Sequence, residues 1–204
     1  MIQDMTLTRF KNKFSRLNLR SFKALKKDQD GVSAIEFALI APVMVLLYFG
    51  GIELSFLLEA DRRVTTVTAT IGDLTSRAES LDTDDVADIF AASNQLILPY
   101  DPNITQLRIS SLVADENGVI TVDWSDGCRT IARPPGSTVP DLPNGIVPDS
   151  GSVIMAEVSY NYQSSIQYLP VTQNINLEDR FFLRPRRTNI IARDISTGSL
   201  PPGC

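Results

Sequence analysis

The 204-residue chain contains no histidine, only two cysteines and a single tryptophan. The missing imidazole excludes histidine-based nucleophile triads and histidine metal sites. Cys128 and Cys204 stand too far apart to form a zinc signature. No glycine run of the Walker type is present to cradle phosphates. Asp82, Asp84, Asp85 and Asp88 crowd together, but the spacing and terminal glutamate of a calcium loop are missing. That cluster reads as a helix start with a solvated face, and Asp115-Glu116-Asn117-Gly118 reads as a turn. No metal, cofactor or small-molecule substrate is expected, and the chain reads as a non-enzyme.

What is present is strongly uneven. Residues 1–30 hold eight Lys/Arg against three Asp, a net of +5, while the remainder carries −10. An uncharged apolar run from Phe37 to Ile52 follows, bracketed by Glu36 and Glu53. Its sixteen residues cover about 24 Å as a helix, a little short of a hydrocarbon core of about 30 Å. Ser55 to Leu58 complete the span if Glu53 reaches the far headgroups or faces a partner, and Arg62 and Arg63 mark the outer edge. Lysine and arginine beside a membrane helix stay cytoplasmic. Nothing after Leu58 is apolar enough to cross back. The expected organisation is a basic cytoplasmic leader (1–31), one transmembrane helix (32–58) and an exported domain (59–204). The basic arm beside a membrane segment fits anionic lipid rather than nucleic acid. A secretory signal peptide fits poorly, because Leu57-Leu58-Glu59-Ala60-Asp61 offers no small-x-small cleavage site.

Pro42 removes a donor inside the apolar run and predicts a kink. Gly50-Gly51 is a second soft point and a small surface for close helix packing. Cys128 and Cys204 both fall in the exported portion, where a disulfide is expected. Two free thiols or a bond to a partner are the alternatives.

The boundary Gly31-Val32-Ser33-Ala34-Ile35-Glu36-Phe37 reads as a prepilin-peptidase site, cut between Gly31 and Val32. An acid inside a membrane helix costs about 2.5–3.5 kcal/mol and is usually paired. Cleavage would create a partner for Glu36, the new α-amine of Val32 on a neighbouring subunit. The alternative is a Glu36 that lies near the headgroups, hydrated.

The stretch from Gly31 to Pro42, continuing through Gly50-Gly51-Ile52-Glu53, resembles the N-terminal segment of TadE-like proteins, minor pseudopilins of the tight-adherence (Flp-type) pilus system. The resemblance implies a single-pass protein of the inner membrane with a periplasmic domain, processed by prepilin peptidase and acting in pilus assembly. Its implied partners are that peptidase, other pilins or pseudopilins, and the membrane assembly platform. Glu36 and Phe37 match the family's acid–aromatic pair, and Pro42 and Glu53 also fall where the family carries them. The related TadG-like proteins share the membrane segment without necessarily being cut. The alternative reading is therefore an unprocessed, anchored envelope protein whose outer domain binds a ligand or polymer.

In the exported portion, Val64, Val67, Ile71, Leu74, Ala78 and Leu81 recur at helical spacing and extend the first helix. The run from Val64 to Thr68 and Gly72 weaken its propensity. Thr83-Asp84-Asp85 starts a second helix with Val86, Ile89, Phe90, Ser93 and Ile97 on one face, ended by Pro99 and Pro102. The period then changes to two: Leu107, Ile109 and Val113 in one strand, Ile120, Val122 and Trp124 sharing a face in the next, and Ile154 to Tyr162 in a third. Asn117-Gly118 predicts a hairpin. A short fourth strand is expected over 188–192, and an exposed, irregular loop over 126–151. Arg184-Pro185-Arg186-Arg187 reads as a solvated loop. The fold class is α+β with a mostly antiparallel sheet, similar in general plan to pilins.

Overall fold

A computed structural model of the protein describes residues 31–115, 118–143, 145–148, 151–164, 173–195 and 204. The leader over 1–30 and Asn117 lie outside the described residues. The chain divides into two compact units, Met1–Gly51 and Ile52–Cys204.

The first described element is one helix, α1 (Val32–Ser76), which continues through Pro42. In its first unit the apolar side chains stand exposed, Phe37 at 72%. Among the described residues α1 is the one helix long and apolar enough to cross a membrane.

In the second unit α1 is followed by β1 (Ser80–Leu81), α2 (Thr83–Leu96), a 3-10 turn (Pro102–Ile104), β2 (Thr105–Ala114), β3 (Ile120–Cys128), β4 (Ser152–Gln163), β5 (Gln173–Leu183) and β6 (Ala192–Arg193). The α+β class expected from periodicity is what forms. Strands β3-β2-β4-β5 make an antiparallel sheet in that order, while β1 and β6 pair in parallel as a separate two-stranded sheet. Ala60, Val64, Val67 and Ile71 of α1 join Val86, Ile89 and Phe90 of α2 against Ile154, Ala156, Val158, Tyr160 and Tyr162 of β4.

The helical stripe is shorter than its spacing predicts. α1 ends at Ser76, Leu74 faces outward and Leu81 is buried from β1 instead. Gly72 is at home in the helix: a Cβ there would stand 2.5 Å from Leu183 Cδ1 and 3.3 Å from the Ala156 Cβ, so glycine admits the sheet. The threonines settle by donating their hydroxyls to carbonyls one turn back, Thr68 to Val64 and Thr75 to Ile71. Asp82 caps α2 in a reciprocal capping box with Asp85, which accounts for two members of the acidic cluster.

Three sheet expectations change. Ser111 pairs with Trp124 while Leu112 pairs with Val122, so Asp123 is an extra residue in β3. That bulge breaks the alternation. Trp124 therefore packs in the helix-side core, whereas Val122 joins Leu112 on a second cluster. Val113 is only half-buried. The fourth strand of the sheet is β5, not 188–192, of which only Ala192 enters a strand. Its Ile175 and Leu177 alternate with polar residues, but Asp179 interrupts the pattern and Phe181-Phe182-Leu183 ends the strand as an unbroken apolar run.

The proline-rich loop is irregular yet not simply exposed. Val139 and Val147 are buried with Leu112, Val122, Val153 and Met155 in the second cluster. A bridge between Thr121 and Thr138 ties the loop to the edge of β3. The basic run after β5 is also pinned: Arg186 pairs with Asp73 at 2.5 Å and Arg187 with Glu79 at 3.3 Å.

Candidate membrane and assembly segment

The expected processing and assembly residues share the start of α1. Gly31 immediately precedes the helix and Val32 is its first residue. Glu36 lies one helical turn on, exposed like Val32 and Phe37. Among the described residues Glu36 has no ion-pair partner, and Gly31 has open space around it. Gly50 and Gly51 also meet nothing within 4 Å of an added Cβ. The segment thus presents an apolar helical surface, one carboxylate near its start and a small-residue patch near its end.

Glu53 behaves differently from Glu36. It is only 1% exposed and accepts a hydrogen bond from the Tyr162 hydroxyl at 2.9 Å. Its partner is thus a residue of its own chain, from the end of β4. Burial first, and then the Glu53 carboxylate, push the Tyr162 hydroxyl far above its ordinary range. Nearby, the Tyr100 hydroxyl donates to the Phe56 carbonyl at 3.0 Å. Tyr100 also stacks edge-on against Tyr160, with ring centroids 5.8 Å apart.

Cys128 and Cys204 form a disulfide. Beside it, Arg129 donates to the Thr105 carbonyl at 2.6 Å and to Asn94 Oδ1 at 2.8 Å. The bridge therefore holds the end of β3 to Cys204, and the guanidinium holds the residue after β3 to the start of β2 and to α2.

The sheet's other face carries a cluster that spacing alone did not reveal. Glu157 of β4 stands opposite Arg108 of β2 and Arg180 of β5 in register. It pairs with both, at 2.8 Å and 3.2 Å, and with Arg133 from the proline-rich loop. Burial pushes the Glu157 carboxyl up, but hydrogen bonds and charge from Arg133 and Arg108 outweigh it and leave the pKa lowered. An open cleft of about 500 Å³ lies over these side chains. The cluster's signal in sequence is one acid between two arginines on adjacent strands, readable only once the register is known. A buried pair, Arg193 with Asp126 at 2.7 Å, similarly fastens β6 to β3. Among the described residues no group of histidine, cysteine, aspartate or glutamate could hold a metal ion.

The family model described as TadE-like protein matches residues 31–72. The N-terminal segment is TadE-like. The matched segment covers about a fifth of the chain, from the glycine before α1 to the glycine that meets the sheet. No curated protein and no solved structure matches the chain. The TadE-like segment suggests a part in tight-adherence pilus assembly, with membrane and pilin-type partners in general. Its single apolar helix suggests a single-pass membrane protein.

Proposed function

We propose that the chain is a minor pseudopilin-like subunit of a tight-adherence pilus, held in the inner membrane with its C-terminal domain in the periplasm. The observation that supports this most is the order Gly31, Val32, Glu36, Phe37 at the head of an exposed apolar helix that matches the TadE-like family. Prepilin peptidase cuts between Gly31 and Val32. The cut frees an α-amine one turn from Glu36, and in staggered subunits the carboxylate of one chain meets the amine of the next. The pairing offsets the cost of placing an acid in lipid and sets the register of the helices. Gly50 and Gly51 provide a close-packing surface further along the helix. The assembly platform and other pilins are the partners, and no catalytic role is assigned to the chain.

The test is the mature N-terminus. Intact mass and the N-terminal peptide of the membrane-extracted protein are measured with and without an active prepilin peptidase. A peptidase-dependent start at Val32 is expected. A full-length chain in both samples would overturn the proposal in favour of a permanent single-pass anchor.

A further inference from the structure

We infer that the cleft over Glu157, on the sheet face opposite the helices, is a docking site for an acidic segment of a partner polypeptide, gripped through one carboxylate by Arg108, Arg133 and Arg180. Every residue involved lies within Ile52–Cys204, so the site is independent of processing and of the membrane segment.

Three observations carry it. The first is a charge imbalance. The three arginines converge on Glu157, and Glu178 is the other acid on that face of the cleft. Asp179, at the same rim, alternates with Arg180 onto the helix side, the side on which Leu177 is buried. Three guanidiniums against two carboxylates leave one positive charge. The Arg133 and Arg108 side chains are only 17% and 25% exposed, so salt and water screen that surplus poorly. One further carboxylate closes the balance. A phosphate dianion would bring one negative charge too many beside Glu157 and Glu178.

The second is a set of unused donors. A guanidinium offers N–H groups on all three of its nitrogens. Arg108 gives Nε to Glu157 and Nη1 to the Ile131 carbonyl, while Arg133 gives both Nη nitrogens to Glu157. Arg180 approaches Glu157 with Nε. Among the described residues Arg108 Nη2 and both Arg180 Nη nitrogens have no hydrogen-bond acceptor. Glu178 does not supply one, although it stands two residues before Arg180 on the same face. Its carboxylate accepts from the Asn176 amide, and Ser159 donates to that same side chain at 3.0 Å. Glu157 thus gathers the three cations and leaves their outer edges free, already in place for a second carboxylate.

The third is room with an apolar neighbour. The cleft of about 500 Å³ is large enough for a carboxylate and the residues flanking it. Beside it Ile131, whose carbonyl anchors Arg108, is 87% exposed. An exposed isoleucine alone means little. Here it adjoins three forked cations, and arginine beside an apolar contact is the combination enriched at protein interfaces. The planar forks suit a carboxylate, which can accept two parallel N–H bonds from one guanidinium.

The test titrates the full chain, in non-ionic detergent at low salt, with a coumarin-labelled, C-terminally amidated Glu-Leu-Glu peptide and its Gln-Leu-Gln counterpart, read by fluorescence anisotropy. The acidic peptide is expected to bind and the glutamine peptide to bind about tenfold more weakly or not at all. Arg180→Gln, at the most exposed of the three cations, weakens the acidic peptide about tenfold. Glu178→Gln tightens it about threefold, an effect in the opposite direction that loss of folding cannot imitate. Arg184→Gln, at an exposed arginine outside the cluster, leaves binding unchanged. Equal binding of the two peptides overturns the inference, as does equal weakening by Arg180→Gln and Arg184→Gln, which would mean general charge attraction. Inorganic phosphate that displaces the peptide where acetate at the same concentration does not overturns it in favour of a phosphate ligand. Peptide binding that disappears as protein concentration rises, with a heavier species in sedimentation, overturns it in favour of a second copy covering the cleft.

Discussion

The two parts of α1 are one continuous helix with opposite surroundings. From Val32 to Phe49 its large apolar side chains are exposed, among them Phe37, Leu39, Leu46 and Leu47. From Ala60 to Ile71 it buries a narrow stripe against the domain and turns polar residues to solvent. The side chains follow the medium each part needs. The first is apolar all round, as a helix in lipid must be, and the second is amphipathic, as a helix on a sheet must be. The two glutamates show the same contrast: Glu36 is exposed, while Glu53 is enclosed by its own domain through Tyr162.

Several variants break or sharpen this contrast. The largest expected effect is on processing: Gly31→Ala leaves the chain at full length by intact mass, without altering the melting of the domain. Glu36→Ala is cut normally but fails to assemble, scored by pilus recovery. Normal assembly would refute the pairing with the neighbour's amine.

Next in size is a paired truncation along the helix. Ile71→Ala opens a cavity in the core and costs about 3 kcal/mol in denaturant unfolding. Leu46→Ala leaves that unfolding unchanged, because its side chain is 60% exposed. Equal losses at both positions would show that the first part of α1 also packs internally.

Tyr162→Phe removes the donor from a buried carboxylate and should cost about 2 kcal/mol. The smallest effect concerns the far face of the sheet. The Glu157 carboxyl is lowered in the folded state from a reference of 4.5, so its contribution is complete above that pH and is lost as pH falls through the folded value. Glu157→Gln should cost about 1.5 kcal/mol at neutral pH and remove this part of the acid-side slope, read from melting between neutral and acidic buffers.

Local patterns were legible wherever one rule acted alone. The helical face of Val86, Ile89, Phe90 and Ser93, the alternation of Ile154 to Tyr162 and the Cys128–Cys204 bridge all follow from spacing or compartment. The places that escaped are those where a distant partner overrides a local rule. Gly72 weakens a helix in isolation, but here it makes room for Leu183. Asp179 interrupts an alternating pattern in β5, but register with β4 restores the strand. The extra residue at Asp123 sends Val122 and Trp124 to different cores, although their spacing puts them on one face.

For the candidate site the division is similar. Gly31, Val32, Glu36 and Phe37 were read from order and type alone, because recognition at a helix head depends on a few consecutive residues. By itself the sequence determined the apolar run, the charge asymmetry beside it and the α+β class, since these rest on composition and on periods of about 3.6 and 2. Only the tertiary structure decided what Glu53 faces, which arginines gather on Glu157 and which strand closes the sheet. Each of those joins residues far apart in the chain, and their meeting depends on strand order and register, which no local period encodes.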